Sequence, residues 1–550
     1  MASTFFGLTI AYTGLQAAQT SINVTSHNLA NINNQAYTKE TASIKAGEAL
    51  RSYAKYGTLG AGVIVDAINQ TRDSYYDEKY RNNYTNYGQY NVKDTYMSQI
   101  QNYLNEFTLK GYSTEYENFF AALNQLDLTP ADTSAKNQLI NNAKSMTDYF
   151  NTLATNLRNV QIDANNEIKD TVNQINSLAQ SISSLNKQIN QIQANYGNAN
   201  DLKDERNALI DDLSKLVNIS VSETDIGNNL TDLQITINGN SLVNGYNYHT
   251  LQTVSRDEPR NVSDAAGLYD IQWETGQPFN IYSTSLGGEL KGLIDIRDGC
   301  NGEIEKYATT TDDDGNETYK TDAEGNILTD TVSKVDGNTN YKGVPYYQAQ
   351  LNQFIQTFVS SINEILTKGV TSDGSASGIP LFVMSDGSKA LTASSVTVNQ
   401  DLIDNADLLA TKYKESDGEA NTSLIVDLIN SKDAKIYDGG TGTYFLESIV
   451  SDMSIDASKA INFTKNYNNL KTTIQNQRLS VMGVDTDEEA MDLVKFQQAY
   501  NLSSKMMTVM NQLYDRLINN TGVKNSKRIL LLTIGAVFDS RYKEAQYAYY

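Results

Sequence analysis

The chain has 550 residues, with 43 Lys+Arg against 65 Asp+Glu, a formal net charge of −22. Such acidity argues against a nucleic-acid binder, and 39% hydrophobic residues with only 5 Pro exclude a random-coil, collagen-like or mucin-like polymer. At ~150 residues per domain the length suits three or four domains, and no apolar run reaches the ~18 residues of a membrane-spanning helix.

The N-terminus, Met-Ala-Ser-Thr-Phe-Phe-Gly, lacks the basic segment and long apolar core of a secretory signal. A lone cysteine, Cys300, excludes an internal disulfide. Both features favour a cytosolic protein, and they also fit one threaded out unfolded by a route that reads no cleaved signal.

Along the chain, the first regular pattern is Leu8, Ala11, Leu15, Ala18, Ile22, Thr25, Leu29 and Ile32, at steps of three and four. That is a heptad seam on one helix face. Ala11, Ala18 and Thr25 are small enough for a second helix to come close. The other face carries Thr, Ser, Asn and Gln, without the charged i,i+4 pairs of a solvated helix.

Residues 73–107 follow a helical period and hold Tyr76, Tyr80, Tyr84 and Tyr87. Phe119-Phe120-Ala121-Ala122-Leu123 precedes a break at Pro130, and no Pro or Gly then occurs from Ser134 until Gly197. The apolar row Leu139, Ala143, Met146, Phe150, Leu153, Leu157, Val160, Ala164, resumed at Val172, predicts one helix about 90 Å long at ~1.5 Å per residue. A rod of that length needs long neighbours, for which 73–107 and 446–482 are the candidates.

A helix over Leu202–Val217 gives way to period two at Leu233–Gly239, a hairpin strand, with strand-like segments to about Tyr282. Helices are predicted over Leu290–Tyr307 and Tyr346–Lys368. Between them, Asp314-Gly315-Asn316, Glu324-Gly325-Asn326 and Asp336-Gly337-Asn338 repeat a turn signal, read as a hairpin excursion. Ser395–Asn399 is the clearest strand of the mixed stretch that follows. Ile449, Met453, Ala460, Phe463, Tyr467, Leu470, Ile474 and Val481 mark a long helix. After Gly483, Leu493, Phe496, Tyr500, Ser503, Met507, Met510, Tyr514 and Leu517 form a second heptad seam, headed by acidic Asp485–Glu489 at the positive end of the helix dipole. A basic tail with an apolar run, Lys524 to Tyr550, ends the chain.

These elements give a mainly α fold with a β-rich middle: a long helical-bundle rod built from both chain ends, with an inserted β domain. The predicted division has 1–35 and 484–523 as one discontinuous coiled-coil domain, with 36–217, 286–307, 345–368 and 443–483 as the helical rod. Residues 218–285 are the β-rich domain, 308–344 the hairpin insertion, 369–442 a mixed α/β surface region and 524–550 an atypical tail. Two seams at the extreme termini, where chains normally fray, are expected to bury one another or those of a neighbouring subunit. The assembly seam is assigned to Leu8, Leu15, Ile22, Leu29, Leu493, Phe496, Tyr500, Met507, Met510, Tyr514 and Leu517.

Catalytic signals are scarce. The two histidines, His27 and His249, have no metal-ligand spacing and no partners for a local triad signature. Asp312-Asp313-Asp314-Gly315 fails as a calcium loop, because Thr310 and Thr321 fall where the end carboxylates belong. Gly439-Gly440-Thr441-Gly442 lacks the Lys-Ser/Thr of a phosphate loop. No catalytic, cofactor-binding or metal-binding residue is assigned, and no cofactor.

Gly14-Leu15-Gln16-Ala17-Ala18-Gln19 with Asn28-Leu29-Ala30-Asn31-Ile32-Asn33-Asn34-Gln35-Ala36-Tyr37-Thr38-Lys39 resembles the N-terminal signature of flagellar rod, hook and hook-associated proteins. Asp487-Glu488-Glu489-Ala490 with Phe496-Gln497-Gln498-Ala499-Tyr500 resembles their C-terminal motif. Phe119–Leu123, Asp201–Ile210 running into Leu213–Val217, and Gly287-Gly288-Glu289-Leu290-Lys291-Gly292-Leu293-Ile294-Asp295 are similar to the hook-associated protein 1 family. The resemblance implies a non-enzymatic structural protein, secreted unfolded by type III export and built into the bacterial flagellum as the junction ring between hook and filament. Implied partners are further copies of itself, the hook protein, a second hook-associated junction protein and an export chaperone at the C-terminal helix, with no nucleic acid and no membrane. It also implies terminal segments that are disordered in the monomer and pair on assembly. Flagellin or the second junction protein, an axial protein with an enzymatic surface lobe, and a cytosolic coiled-coil scaffold are the alternatives. The family's turn carries Thr and Gly where this chain has Asn34 and Ala36, so a different turn is expected.

Overall fold

Helices carry most of the chain. The computed structural model describes residues 6–51, 58–109, 112–227, 230–281, 283–299, 309–311, 317–319, 342–385, 390–437 and 439–520. Its helices are α1 Phe6–Ala30, α2 Ser74–Leu109, α3 Tyr112–Leu128, α4 Thr133–Ala194, α5 Asn200–Leu216, α6 Gly288–Asp298, α7 Gly343–Leu366, α8 Gln400–Asp404, α9 Ser423–Asn430, α10 Gly442–Met482 and α11 Thr486–Asn520. Strands concentrate between α5 and α6. The mainly α fold with a β-rich middle is therefore what the chain adopts.

The chain divides into two compact units. The larger spans Glu78–Tyr196 and Arg206–Ile474. Its axis is α4, 62 residues in one helix, capped at the start by the Asp132 carboxylate accepting from Ser134 N. The row read from the sequence is its buried face: Leu139, Ala143, Phe150, Leu157, Val160, Ala164, Val172, Ile175, Ala179 and Ile182 are all inaccessible or nearly so. Against it lie α3, α6 and α7. A four-stranded antiparallel meander, Ser220–Gly227, Leu230–Ile237, Asn240–Asn244 and Asn247–Tyr248, buries Leu233, Ile235 and Ile237 at alternate positions. The pair Leu251–Ser255 and Tyr269–Trp273 follows it.

A row of α4 amides fastens this β material. Asn176 donates to Leu251 O and accepts from Leu251 N, Asn186 donates to Gly245 O, and Asn190 donates to Thr231 O. Asn is the residue suited to this, because one side chain satisfies both a donor and an acceptor of an extended backbone. Part of the chain's asparagine abundance thus has a physical use.

Two boundaries differ from the sequence reading. α6 stops at Asp298, not Tyr307, because Gly299 takes a positive φ of 72° and ends the helix. Within the stretch assigned to the helical rod, Glu40–Ala46 pairs with Val63–Gln70 as a hairpin whose weak alternation gives no strand signal. Of the predicted excursion, Thr309–Thr311 pairs antiparallel with Glu317–Tyr319. Its last residues, from the N-cap Lys342, already belong to α7, and the rest of it, Cys300 and the tail 524–550 lie outside the described residues.

The second unit comprises the described residues within Met1–Asp77, Gly197–Glu205 and Gln475–Tyr550. It holds α1, the Glu40–Gln70 hairpin, and α11. The turn after α1 needs no glycine. Asn34 closes it locally, its side-chain oxygen accepting from Ala36 N at 3.1 Å and its carbonyl from Tyr37 N at 3.1 Å.

Candidate assembly site on the terminal helices

The first and last helices pack against each other. On α1, Gly7 faces Met510, Gly14 faces Ser503, and Asn28 bonds Glu489. Each step of seven along α1 is thus matched by seven backwards along α11, so the pair is antiparallel and in heptad register. Small residues make the contact possible: besides Asn28, the buried positions of α1 are Ala11, Ala17, Ala18, Ser21, Val24 and Thr25. Gly14 keeps the helices close, for a Cβ there would lie 3.1 Å from Ser503 Oγ. Replacing Gly14 by Leu is expected to cost about 1–3 kcal/mol by overpacking, read as a lower urea midpoint for this unit.

The predicted seam residues flank this line. Leu8, Leu15 and Ile22 are half-buried, while Leu29 is 37% exposed. On α11, Leu493, Phe496, Tyr500, Met507, Met510 and Tyr514 are half-buried, and Leu517 is 54% exposed. The two helices are formed and paired within one chain, which departs from the expectation of terminal segments disordered until assembly. The small α1 residues allow an intramolecular partner to fit.

A polar knot locks the end of the pair. Asn28, 1% exposed, donates to Glu40 O at 2.9 Å and to Glu489 Oε2 at 3.1 Å, and its Oδ1 accepts from Tyr37 OH at 2.7 Å and Glu40 N at 3.0 Å. Lys39 pairs with Glu488 at 2.7 Å and Glu489 at 3.2 Å. Burial opposes the charge on Lys39, but the two carboxylates outweigh it and raise the ammonium above its usual range. Burial, reinforced by Glu40, Asp201, Asp204 and Glu489, pushes the Tyr37 phenol up, so it stays a neutral donor. Thr38 ties the knot to α5, donating to Asp204 through its backbone N at 2.9 Å and its hydroxyl at 2.8 Å.

His27 lies beside the knot, with Nδ1 3.4 Å from Glu40 and Nε2 4.0 Å from Asp201. Its two nitrogens face different carboxylates, which is a bridging arrangement between α1, the first strand and α5. Sequence spacing could not show it, because the acids come from distant segments.

One further feature escaped the sequence reading. α11 has a second apolar row, Met491, Leu502, Met506, Val509 and Leu513, with Met491 67%, Leu502 65% and Leu513 53% exposed. At about 100° per residue this row lies roughly a third of a turn from the line facing α1, and the remaining third carries Gln497, Asn501, Thr508, Gln512 and Asp515. The steps of four, three and four from Leu502 to Leu513 were the available signal. An uncovered apolar row of this length on a paired helix marks an interaction surface.

A family model described as "Flagellar hook-associated protein FlgK helical domain" matches residues 97–382, just over half the chain. The chain belongs to the FlgK family. A second model, "Flagellar basal body rod FlgEFG protein C-terminal", matches residues 475–520, the end of α10 and all of α11. "Flagellar hook-associated protein 1" of Bacillus subtilis is 27% identical over 541 residues, covering 95% of this chain and 99% of that protein. The Escherichia coli protein of the same name is 27% identical over 557 residues, covering 92% and 98%. The structure of the flagellar hook junction protein FlgK from Burkholderia pseudomallei shares the fold, at a TM-score of 0.54 and 15% identity over 74% of this chain and all of that one. Membership in the FlgK family makes the chain a structural flagellar protein, and the relatives are structural proteins rather than enzymes.

Proposed function

We propose that the chain is a non-catalytic subunit of the hook–filament junction, one of a ring of identical copies that contacts the hook protein on one side and a second junction protein on the other. The observation that carries this reading is the division of α11 into three faces. One is taken by α1, one is polar, and one is apolar and uncovered. In a single chain the third face is a liability in water; packed against the terminal helices of adjacent copies it becomes buried surface, worth roughly 25 cal/mol per Å² removed from water. The same face, before assembly, is the natural hold for an export chaperone, and a chain without disulfide cross-links can be threaded through the flagellar type III channel. In this reading the terminal pair is the building joint.

The test separates export from incorporation. The double substitution Leu502→Glu, Val509→Glu places two charges on the uncovered row, while Thr508→Glu places one on the polar face. The double variant is expected to reach the medium but to be absent from sheared, purified flagella, with motility lost; Thr508→Glu is expected to behave as the parent. Normal amounts of the double variant in purified flagella would exclude this surface as the joint.

A further inference from the structure

Away from the terminal helices, the larger unit contains a cavity of about 60 Å³, lined where α4, α7 and two loops converge. At ~10–15 Å³ of such space per water, it has room for four to six water-sized groups. Its walls are braced from one helix. Asn352 on α7 donates to Ser263 Oγ at 2.7 Å and accepts from Ala393 N at 2.9 Å, so one side chain holds both loops in place. Gln348, one turn earlier on α7 and only 4% exposed, donates through Nε2 to Ser263 O at 3.3 Å. That bond orients the amide and leaves Gln348 Oε1, a buried acceptor, with no partner. Such an orphan is costly unless something in the cavity donates to it.

Arg158, on α4, also lines the cavity and is exposed, with no ion pair or hydrogen bond among the described residues. In a chain with 65 acids, a guanidinium without a carboxylate beside a preformed pocket is an available anion site. The Ser263 hydroxyl accepts from Asn352, so its own proton is free to point inward. The wall offers a guanidinium and a hydroxyl as donors and one amide oxygen as acceptor.

We propose that this cavity binds a small carboxylate that carries a hydrogen-bond donor on the adjacent carbon, an α-hydroxy or α-amino acid of about five heavy atoms. The carboxylate pairs with Arg158 and accepts from Ser263, and the neighbouring hydroxyl or ammonium donates to Gln348 Oε1. The contact is independent of the terminal helices, so it stands or falls apart from the assembly reading.

Titration of the full chain with glycolate and with acetate, followed by saturation-transfer NMR, tests it. Glycolate is expected to bind saturably in the millimolar range, as suits so few atoms, and acetate about fivefold more weakly. Arg158→Gln, at an exposed position, is expected to weaken both about tenfold, whereas Gln348→Leu is expected to erase the preference for glycolate and leave acetate unchanged. Unsaturable glycolate binding, equal affinity for the two acids, or an Arg158→Gln chain that binds like the parent would each overturn the proposal.

Discussion

Replacing Asn28 by Leu is expected to unfasten α1 from α11. The side chain is buried and serves four partners at once: the Glu40 carbonyl, the Glu489 carboxylate, the Tyr37 hydroxyl and the Glu40 amide. Leucine fills a similar volume and satisfies none of them. Glu489, itself 2% exposed, would keep only Lys39 as an ion partner. A buried carboxylate that has lost a hydrogen bond, an orphaned buried phenol and orphaned backbone groups together cost about 3–5 kcal/mol. That is enough to open this unit while the larger one stays folded. Hydrogen exchange reads it directly: amides of α1 and α11 should exchange about a hundredfold faster or more, and those of α4 should not change. Unchanged protection of α11 would mean that the apolar line through Gly14 holds the pair alone.

The second large effect is expected in the other unit. Arg297 is fully buried and its guanidinium reaches the Asp298 carboxylate, Asn165 Oδ1 at 3.0 Å and the Tyr269 carbonyl at 2.6 Å. Arg256 approaches the same carboxylate at 2.7 Å. Burial alone would raise the Asp298 carboxyl, but the two guanidiniums prevail and hold it down at about 2. Arg297→Met removes one of them and leaves the carboxylate buried beside Arg256 alone, at an expected cost of about 3–5 kcal/mol. The pH dependence has a definite sign. A carboxyl whose folded value is depressed lends stability that is present above its unfolded value near 4 and lost as pH falls from there towards 2. The parent should therefore lose this stabilisation between about pH 4 and pH 2, and Arg297→Met should show less of that dependence together with a lower Tm at neutral pH. Thermal unfolding of both chains from pH 7 to pH 2 checks it; coincident curves would assign Arg297 a dispensable role.

Helices were legible from the sequence wherever period 3.6 ran on without Pro or Gly. α4 is the strongest case, its ends within a few residues of the predicted ones, because a long apolar row has no strand alternative. α11 and the alternation at Leu233–Ile237 were equally plain. The hairpin over residues 40–70 was not, because both its strands are largely half-exposed and show little alternation of burial, so no apolar run betrays it. Its support is tertiary: Gly62 at φ 93° brings the strand against Thr13 of α1, where a Cβ would lie 2.2 Å from the hydroxyl.

At the candidate site, the sequence marked two seams expected to bury one another or those of a neighbouring subunit, and α1 and α11 do pack together. Heptad spacing marked the large residues Leu8, Leu15 and Ile22 together with the small Ala11, Ala18 and Thr25; the small ones are among the buried positions, joined by Ser21, while Gly14 meets Ser503. Size decided this, since only small side chains let two backbones approach. The polar knot was invisible for another reason. Asn28, Glu40, Asp204 and Glu489 belong to four separate segments, and no spacing rule links them. Asparagine abundance, without explanation from composition, is partly accounted for by side chains such as Asn151, Asn176 and Asn363, which hold the backbone of neighbouring loops and strands.

The most direct measurement is thiol accessibility on the free face of the last helix. With Cys300→Ser removing the native thiol, Leu502→Cys provides one reporter at a position 65% exposed in the single chain. Maleimide labelling should be fast on the purified protein and suppressed at least tenfold in intact flagella, returning when the flagella are dissociated in acid. Equal labelling of the free and the flagellar protein would mean that this face stays in water, and that α11 is not the surface by which copies join.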